Sequence, residues 1–169
     1  MILGQIERLD RLLKRLLSLT DRDPPRRQPS SVRSLVGSCA LEYAEQACGR
    51  GIRIATDIRV DTANIDADQI HRALDNLVLN AIEAAPAHSE ILLGARIEGD
   101  TLHLSVHDAG AGPPGMIRDH LFEPFVTGRA DGTGLGLSLV REIANSHGGI
   151  ARLASPPSGT CFEILIPWQ

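Results

Sequence analysis

Aromatic side chains are scarce in this chain: they make up 3% of its 169 residues, although 43% of the residues are hydrophobic. The aliphatic residues Leu, Ile, Val and Ala must therefore supply the packing of any core. A chain of this length is expected to form one domain of ordinary size with a small appendage.

Long hydrophobic runs are absent as well. No segment approaches the roughly 18 consecutive apolar residues of a membrane-spanning helix, and no charged start leads into an apolar stretch and a cleavage site. The three cysteines, Cys39, Cys48 and Cys161, are an odd number at spacings that fit no metal site. These absences predict a soluble, cytoplasmic fragment with reduced thiols, whether or not the full-length protein is anchored in a membrane.

An excess of positive charge is missing from most of the chain. Residues 1–34 carry eight Lys and Arg against four Asp and Glu, whereas the remainder carries nine against seventeen. An acidic body argues against a broad nucleic-acid-binding face. If this body binds a polyphosphate, a divalent cation and backbone N–H groups must supply much of the positive field.

The N-terminal segment has the pattern of a helix with several neighbours. Over residues 2–20 the apolar positions recur at alternating steps of four and three, and further leucines widen this stripe. Such a stripe favours a multi-helix bundle, with packing on the helix's own domain as the alternative. Prolines and charges then predict that the helix ends by residue 22 and that a linker, 23–31, precedes a domain over 32–169.

The remaining periodicity mixes helices and strands. Helices are expected over 34–46, 66–85 and 135–146, and strands over 52–58, 64–66, 90–97, 101–106, 150–154 and 160–166. Residues 109–131 are irregular and rich in Gly and Pro, which is more often a functional feature than an accident. The order of elements predicts an α+β fold, a two-layer α/β sandwich with helices on one face of a sheet.

A glycine-rich stretch, GTGLGL at residues 132–137, runs directly into the last predicted helix. Glycines allow a ligand to approach the backbone closely, and the first turn of a helix offers unpaired N–H groups to an anion. The stretch matches neither a P-loop nor a dinucleotide-binding loop. Taken alone it is as often a plain turn as a phosphate site.

Two asparagines, Asn76 and Asn80, lie one turn apart on the predicted helix 66–85. Asparagine is a poor helix former because its side chain competes for backbone hydrogen bonds, so this pair needs a reason. One reason is a pair of neutral oxygen donors for Mg²⁺ and phosphate on one helical edge. The other is a buried amide pair that bonds to itself or to a loop.

Two further motifs flank the irregular segment. Asp108, Gly110 and Gly112 close a strand, where a carboxylate can accept a hydrogen bond from an exocyclic amine and the glycines leave room for a flat base. An Asp-initiated turn is the common alternative. Phe122 and Phe125 supply two of the three phenylalanines of the chain and could anchor a lid.

The order of these four motifs resembles the N, G1, F and G2 boxes of the catalytic ATP-binding domain of sensor histidine kinases. The resemblance extends from about residue 31 to the C-terminus and implies the Bergerat-type (GHKL) sandwich shared with gyrase, Hsp90 and MutL. The leading helix resembles the second helix of the family's dimerisation and phosphoacceptor hairpin. The short form FEPFVT at residues 122–127 is most similar to the nitrogen-regulation subgroup.

The resemblance also implies roles for individual residues. Asn80 would ligate Mg²⁺, Asn76 would lie beside the phosphates as a catalytic residue, and Asp108 would bind the adenine amine. A lid would span about 113–131. The full set of implied ATP-binding residues is Asn76, Asn80, Ala84, Asp108, Gly110, Gly112, Phe122, Thr127, Gly132, Thr133, Gly134, Leu135, Gly136, Leu137 and Thr160.

Three departures from the family pattern qualify these roles. The subgroup's lysine after the threonine is missing, and Lys14 is the only lysine, so a catalytic contact to the γ-phosphate falls to Arg129. Asn76 stands where the ATPases of the family carry a hydrolytic glutamate, which disfavours efficient hydrolysis. None of the six histidines lies in the N-terminal helix or in a His-Glu context, so the phosphoacceptor histidine would lie outside this chain.

The sequence therefore predicts a histidine protein kinase module of a two-component system that uses ATP and Mg²⁺. Its expected partners are a histidine-bearing helical hairpin, a response regulator receiver domain and a second copy bound through helix 2–20, with no nucleic acid and no membrane for this fragment. His71 is expected to be a surface or capping residue and His147 a structural one. A Bergerat-fold serine kinase of a regulatory protein and a nucleotide-gated interaction module without transfer are the alternatives.

Overall fold

The structure, a computed structural model, describes residues 24–128 and 132–168. The predicted helix 2–20 and Arg129 lie outside these ranges. The proposed dimer contact and the proposed lid arginine therefore stay predictions.

The described residues form seven strands, four α-helices and one short 3₁₀ helix, Gly115–His120. The strands are β1 (Gln28–Ser31), β2 (Arg53–Ile58), β3 (Thr62–Ile65), β4 (Glu90–Glu98), β5 (Thr101–Asp108), β6 (Ile150–Ala154) and β7 (Thr160–Pro167). The helices are α1 (Val32–Glu42), α2 (Ala44–Cys48), α3 (Ala67–Ala84) and α4 (Gly136–Ser146).

The main sheet has five strands in the order β2-β4-β5-β7-β6. Strands β2 and β4 pair in parallel, and the other neighbours pair antiparallel. Strands β1 and β3 form a separate antiparallel pair that leads into α1 and α3. Strand β5 thus lies at the centre of the sheet, and Asp108 is its last residue, at the end of the strand.

One face of the sheet is covered by helices. On β5 the alternate residues Leu102, Leu104 and Val106 are fully buried, whereas Ser105 and His107 on the opposite face are partly exposed. Helix α1 contacts β2 and β4, α3 contacts β4 and β5, and α4 contacts β6 and β7. This arrangement confirms the predicted two-layer sandwich, whose core is almost entirely aliphatic.

Helix α3 is the longest element and begins and ends where the sequence predicts. Asp66 caps it by accepting a hydrogen bond from the backbone N–H of Gln69 at 3.1 Å, and Pro86 follows its end. The second carboxylate oxygen of Asp66 accepts from the backbone N–H of Arg26 at 2.8 Å. The incoming chain is therefore tied to the start of α3.

Three local predictions need correction. The linker predicted over 23–31 contains β1. Its Pro29, opposite Asn64 of β3, does not prevent pairing, because an edge strand tolerates a missing N–H. The helix predicted over 34–46 is two helices, because Tyr43 departs from helical geometry at φ −95° and ψ 0°. The irregular segment 109–131 contains the 3₁₀ helix at its centre.

Candidate functional site

A cavity of about 860 Å³ lies beside α3, at the end of β5 and the start of α4. Residues from all four sequence motifs line it. The predicted site residues on its wall are Asn80, Ala84, Asp108, Gly112, Thr127, Gly132, Thr133, Gly134, Gly136, Leu137 and Thr160. The structure therefore brings together motifs that are separated by up to 80 positions in the chain.

Four predicted residues lie behind the wall of this cavity: Asn76, Gly110, Phe122 and Leu135. Asn76 is buried, and its amide donates to the carbonyl of Arg72 at 2.8 Å. Its Oδ1 lies 3.1 Å from where a Cβ on Gly136 would be, so Asn76 packs under the first turn of α4. Leu135, 1% exposed, is a core residue.

The end of β5 forms a rigid corner of the cavity. Asp108 is 2% exposed, and its Oδ1 accepts from the backbone N–H of Gly110 at 2.6 Å. Thr160 on the neighbouring strand donates its hydroxyl to the carbonyl of Gly110 at 3.1 Å. A Cβ on Gly110 would lie 2.6 Å from Asp108 Oδ1 and 2.8 Å from the carbonyl oxygen of Ala84, so only glycine fits here.

The glycine-rich loop and the lid segment meet through their backbones. Gly134 has φ +67°, and a Cβ on it would lie 2.6 Å from the Cα of Phe125. The N–H of Phe125 donates to the carbonyl of Gly134 at 3.0 Å. Glycine is required at position 134 both for its conformation and for this close approach.

The two phenylalanines of the lid segment have different environments. Phe122 is half-buried and packs edge to face on Phe162, with ring centroids 6.2 Å apart. Phe125 is 69% exposed and has φ +66°. Of the two predicted anchors, Phe122 therefore has the side-chain packing of an anchor, and Phe125 is held by its backbone.

The first turn of α4 faces the cavity without a capping side chain. Leu135 occupies the N-cap position and its side chain makes no cap hydrogen bond, while its own N–H donates to Thr133 Oγ1 at 3.4 Å. Gly136 and Leu137 of this turn line the cavity. Backbone N–H groups and the positive end of the helix dipole are thereby available to an anion.

A buried histidine joins α3 and α4 behind the site. His147 is fully buried; its Nδ1–H donates to the carbonyl of Ile143 at 2.8 Å, and its Nε2 accepts from the N–H of Asp66 at 3.1 Å. Burial lowers the pKa of His147 below its ordinary value of 6.5, which suits the neutral tautomer that these bonds require. The predicted structural role of His147 agrees with this geometry.

Some residues of the wall were not predicted from the sequence. Glu83 lines the cavity one turn after Asn80, a spacing from which it could have been found. Gln46 of α2 also lines it, but only tertiary packing brings this short helix to the cavity, and no local pattern signals that contact. Pro113, Pro114, Ile117, Leu121 and Val126 make the lid side apolar.

The sandwich and the four converging motifs define a nucleotide-binding domain of the ATPase class. Residues 65–169 match the family described as "Histidine kinase-, DNA gyrase B-, and HSP90-like ATPase", and the chain belongs to this family. Its predicted identity as the ATP-binding catalytic domain of a sensor histidine kinase is confirmed.

The similar proteins are sensor kinases. Sensory histidine kinase/phosphatase NtrB of Rhizobium leguminosarum bv. phaseoli is 33% identical over 99% of this chain, which covers 48% of that protein. The catalytic domain of histidine kinase ThkA is 27% identical with a TM-score of 0.78, covering 85% of this chain and 96% of that one. Full-length ShkA in complex with AMPPNP is 25% identical with a TM-score of 0.82, covering 98% of this chain and 36% of that one.

The chain spans about half the length of the NtrB relative. Within the residues that the structure describes, no helix combines the length and hydropathy needed to cross a bilayer.

Proposed function

We propose that this chain binds Mg-ATP in the cavity and transfers the γ-phosphate to a histidine on a helical hairpin outside the chain, for relay to a response regulator. The single observation that carries the proposal is the convergence of all four motifs on one cavity of about 860 Å³. The similarity to sensory kinases such as NtrB supports the choice of a histidine as acceptor.

The corner formed by Asp108, Gly110 and Thr160 is the proposed adenine site. A buried carboxylate on the cavity wall is an acceptor for the exocyclic amine of adenine, and Gly110 allows the chain after β5 to pack closely against Asp108 and the end of α3. Thr160 holds the carbonyl of Gly110 and so fixes the corner before the nucleotide binds. Ala84 contributes its backbone to the same wall.

Asn80 is the proposed Mg²⁺ ligand, because an amide oxygen is a hard, neutral donor and this residue lines the cavity. The donor set fits Mg²⁺, which binds through few protein ligands together with phosphate oxygens and water. A bound Mg²⁺ supplies positive charge next to the phosphates, which the acidic body of the domain does not. We expect Mg²⁺ to strengthen the binding of ATP for this reason.

The phosphates are proposed to lie against residues 132–137 and the first turn of α4. The first turn of α4 and the backbone of Gly134 and Gly136 orient the phosphate chain. Asn76 acts in this proposal by holding Gly136 in place from beneath, and Arg129 by contacting the γ-phosphate. Chemistry in such a site is mostly positioning and charge neutralisation.

The acceptor is proposed to lie outside the chain, because none of the six histidines lies in the predicted N-terminal helix or in a His-Glu context, and three of them are buried or paired with a carboxylate. His147 is fully buried, His71 pairs with Asp75, and His120 pairs with Glu123 in the lid segment. Incubation with γ-labelled Mg-ATP alone should leave the chain unlabelled. Acid-labile phosphate on this chain would contradict the proposal.

Addition of a histidine-bearing hairpin, or of a kinase-dead full-length partner, tests the transfer itself. We expect slow labelling of the partner, because an untethered fragment lacks the high effective concentration of an attached acceptor. Asn80→Ala should abolish the transfer, whereas Asp100→Asn in the β4–β5 hairpin, remote from the cavity, should not. Labelling of a serine instead would establish the serine-kinase alternative, and nucleotide-dependent partner binding without labelling would establish a gated interaction module.

A further inference from the structure

A cluster of titratable side chains lies between α1 and α3, away from the proposed nucleotide site. His71 and Asp75 are one turn apart on α3, and Glu42 is at the end of α1. His71 Nδ1 lies 3.1 Å from Asp75 Oδ2, and His71 Nε2 lies 3.7 Å from Glu42 Oε2. One ligand atom from each residue can be chosen so that the three lie within 4.8 Å of one another.

We propose that Glu42, His71 and Asp75 form a binding site for a divalent transition-metal ion such as Zn²⁺. The donor set of one imidazole nitrogen and two carboxylates is typical of zinc and its neighbours, and the imidazole disfavours Mg²⁺ and Ca²⁺. Water completes the coordination. This proposal is independent of the nucleotide site, because Asn76 and Asn80 project from a different edge of α3.

The site forms at Nδ1 of His71, beside Asp75, and requires Glu42 to rotate away from Nε2, because one ion can bind only one nitrogen of the ring. Ligand atoms around a tetrahedral zinc ion lie about 3.3 Å apart, given metal–ligand bonds of about 2.0–2.2 Å. Glu42 has 56% of its side chain exposed and can rotate to close the set, while the exposed fractions of His71 and Asp75 are 28% and 23%. The ion would enter from the solvent on the side of Glu42 and meet two ligands, His71 and Asp75, that α3 already holds in contact.

The electrostatics of the cluster favour a cation. Within the described residues, His71 is the only basic side chain that forms an ion pair with Glu42 or Asp75. The carboxylates of Glu42 and Asp75 flank the same imidazole, one at each ring nitrogen, so their negative charges lie close together. A divalent ion would relieve the repulsion between the two carboxylates.

Cys39 supports the site from behind. Its Sγ lies 3.7 Å from Asp75 Oδ1, so the thiol donates to the oxygen that faces away from His71. A ligating carboxylate whose other oxygen is held in this way keeps its orientation, which favours metal binding. The proposed ligands come from two helices, Glu42 from the end of α1 and His71 with Asp75 from α3, as metal sites between facing helices do.

The test is a titration of the full nucleotide-free chain with Zn²⁺, against a competing chromophoric chelator, with thermal unfolding as a second readout. We expect one Zn²⁺ per chain and a higher melting temperature. His71→Gln and Glu42→Gln should each lower the affinity by about 10- to 100-fold or more, because even residues that only orient a ligand have effects of that size.

Two matched controls identify the site. His120→Gln removes a histidine that pairs with the exposed Glu123, and Asp68→Asn removes an exposed carboxylate from the same helix as Asp75. Both should bind Zn²⁺ like wild type. Absence of Zn²⁺ binding by the wild type, unchanged affinity in both His71→Gln and Glu42→Gln, or loss of binding in His120→Gln would overturn the proposal. Glu42 is exposed, so its variant remains informative if His71→Gln folds poorly.

Discussion

The two sides of the cavity are built differently. On the sheet side, Asp108, Gly110 and Thr160 are buried and joined by hydrogen bonds, and Gly110 touches the end of α3. On the lid side, the 3₁₀ helix contains no buried residue, and Met116 is 92% exposed. The proposed base site is therefore formed in advance, whereas the lid side is free to adjust to a ligand.

Gly110→Ala should have the largest effect, because it disrupts the preformed side of the cavity. The added Cβ would meet backbone and a buried carboxylate at 2.6–2.8 Å, and we expect a loss of about 1–3 kcal/mol in stability together with loss of ADP binding. Denaturant unfolding and calorimetry measure the two effects. Gly37→Ala in α1 is the control: nothing lies within 4 Å, and helix propensity predicts a gain of about 0.5–1 kcal/mol.

Asp108→Asn tests the chemistry of the same side without changing its shape. The new amide N–H₂ group places a donor opposite the donor of adenine, and we expect ADP binding to weaken by about 1–3 kcal/mol. Calorimetry with Asp100→Asn, an exposed residue of the β4–β5 hairpin, provides the comparison. Wild-type affinity in Asp108→Asn would show that the adenine lies elsewhere.

Hydrogen exchange compares the local stability of the lid segment with that of the sheet directly. We expect amides of residues 113–128 to exchange faster than those of β5 in the free protein, and to slow when ATP binds. At a ligand concentration of 100 times the Kd, binding can add up to about 2.7 kcal/mol of protection. Equally strong protection with and without ATP would contradict a lid in this segment.

A pair of lid variants compares its two phenylalanines. Phe122→Ala removes the edge-to-face contact with Phe162, an interaction of about 0.5–1.5 kcal/mol beyond the area it buries. Phe125→Ala removes an exposed ring, and we expect a change within about 0.5 kcal/mol. Chemical denaturation measures both, and an equal or larger effect at Phe125 would reverse the assignment of the anchor.

His147, which links α3 and α4 behind the cavity, should give the smallest effect, and it should appear as a dependence of the unfolding free energy on pH. The pKa of His147 is lower in the folded protein than its ordinary value of 6.5, so the unfolded chain binds more protons in this range. Stability from this group is complete above pH 6.5 and declines as the pH falls toward the folded pKa. The slope of the unfolding free energy against pH over this window should be smaller in His147→Gln than in the wild type. His120→Gln is the control: Glu123 raises the pKa of His120, so removing this histidine should not reduce the slope.

The sequence predicted elements whose pattern is local and missed those set by tertiary contact. Asp66 as a cap and Pro86 as a stop define α3 from sequence alone, and the alternation in β4 and β5 defines the hairpin. The pairing of β1 with β3 joins residues 31 to 37 positions apart, and a segment with three prolines gives no sign of it. Gln46 reaches the cavity through the same kind of contact.

The sequence predicted which residues belong to the site better than it predicted which of them line the cavity and which lie behind its wall. Eleven of the predicted residues lie on the cavity wall, but Asn76, Gly110, Phe122 and Leu135 lie behind it. A motif records that residues act together, and it does not distinguish a residue that lines the wall from one that supports it. Asn76 illustrates this, because its amide bonds to the carbonyl of Arg72 within the helix.

The bond between the N–H of Arg26 and Asp66 has a practical consequence for protein engineering. In a chimeric protein that joins this domain to a foreign input module, a graft that begins at Val32 would remove both β1 and the second partner of the residue that caps α3. A graft that begins at residue 24 would keep both. The working boundary of the portable unit is therefore set by Arg26 and β1, upstream of the first helix of the sandwich.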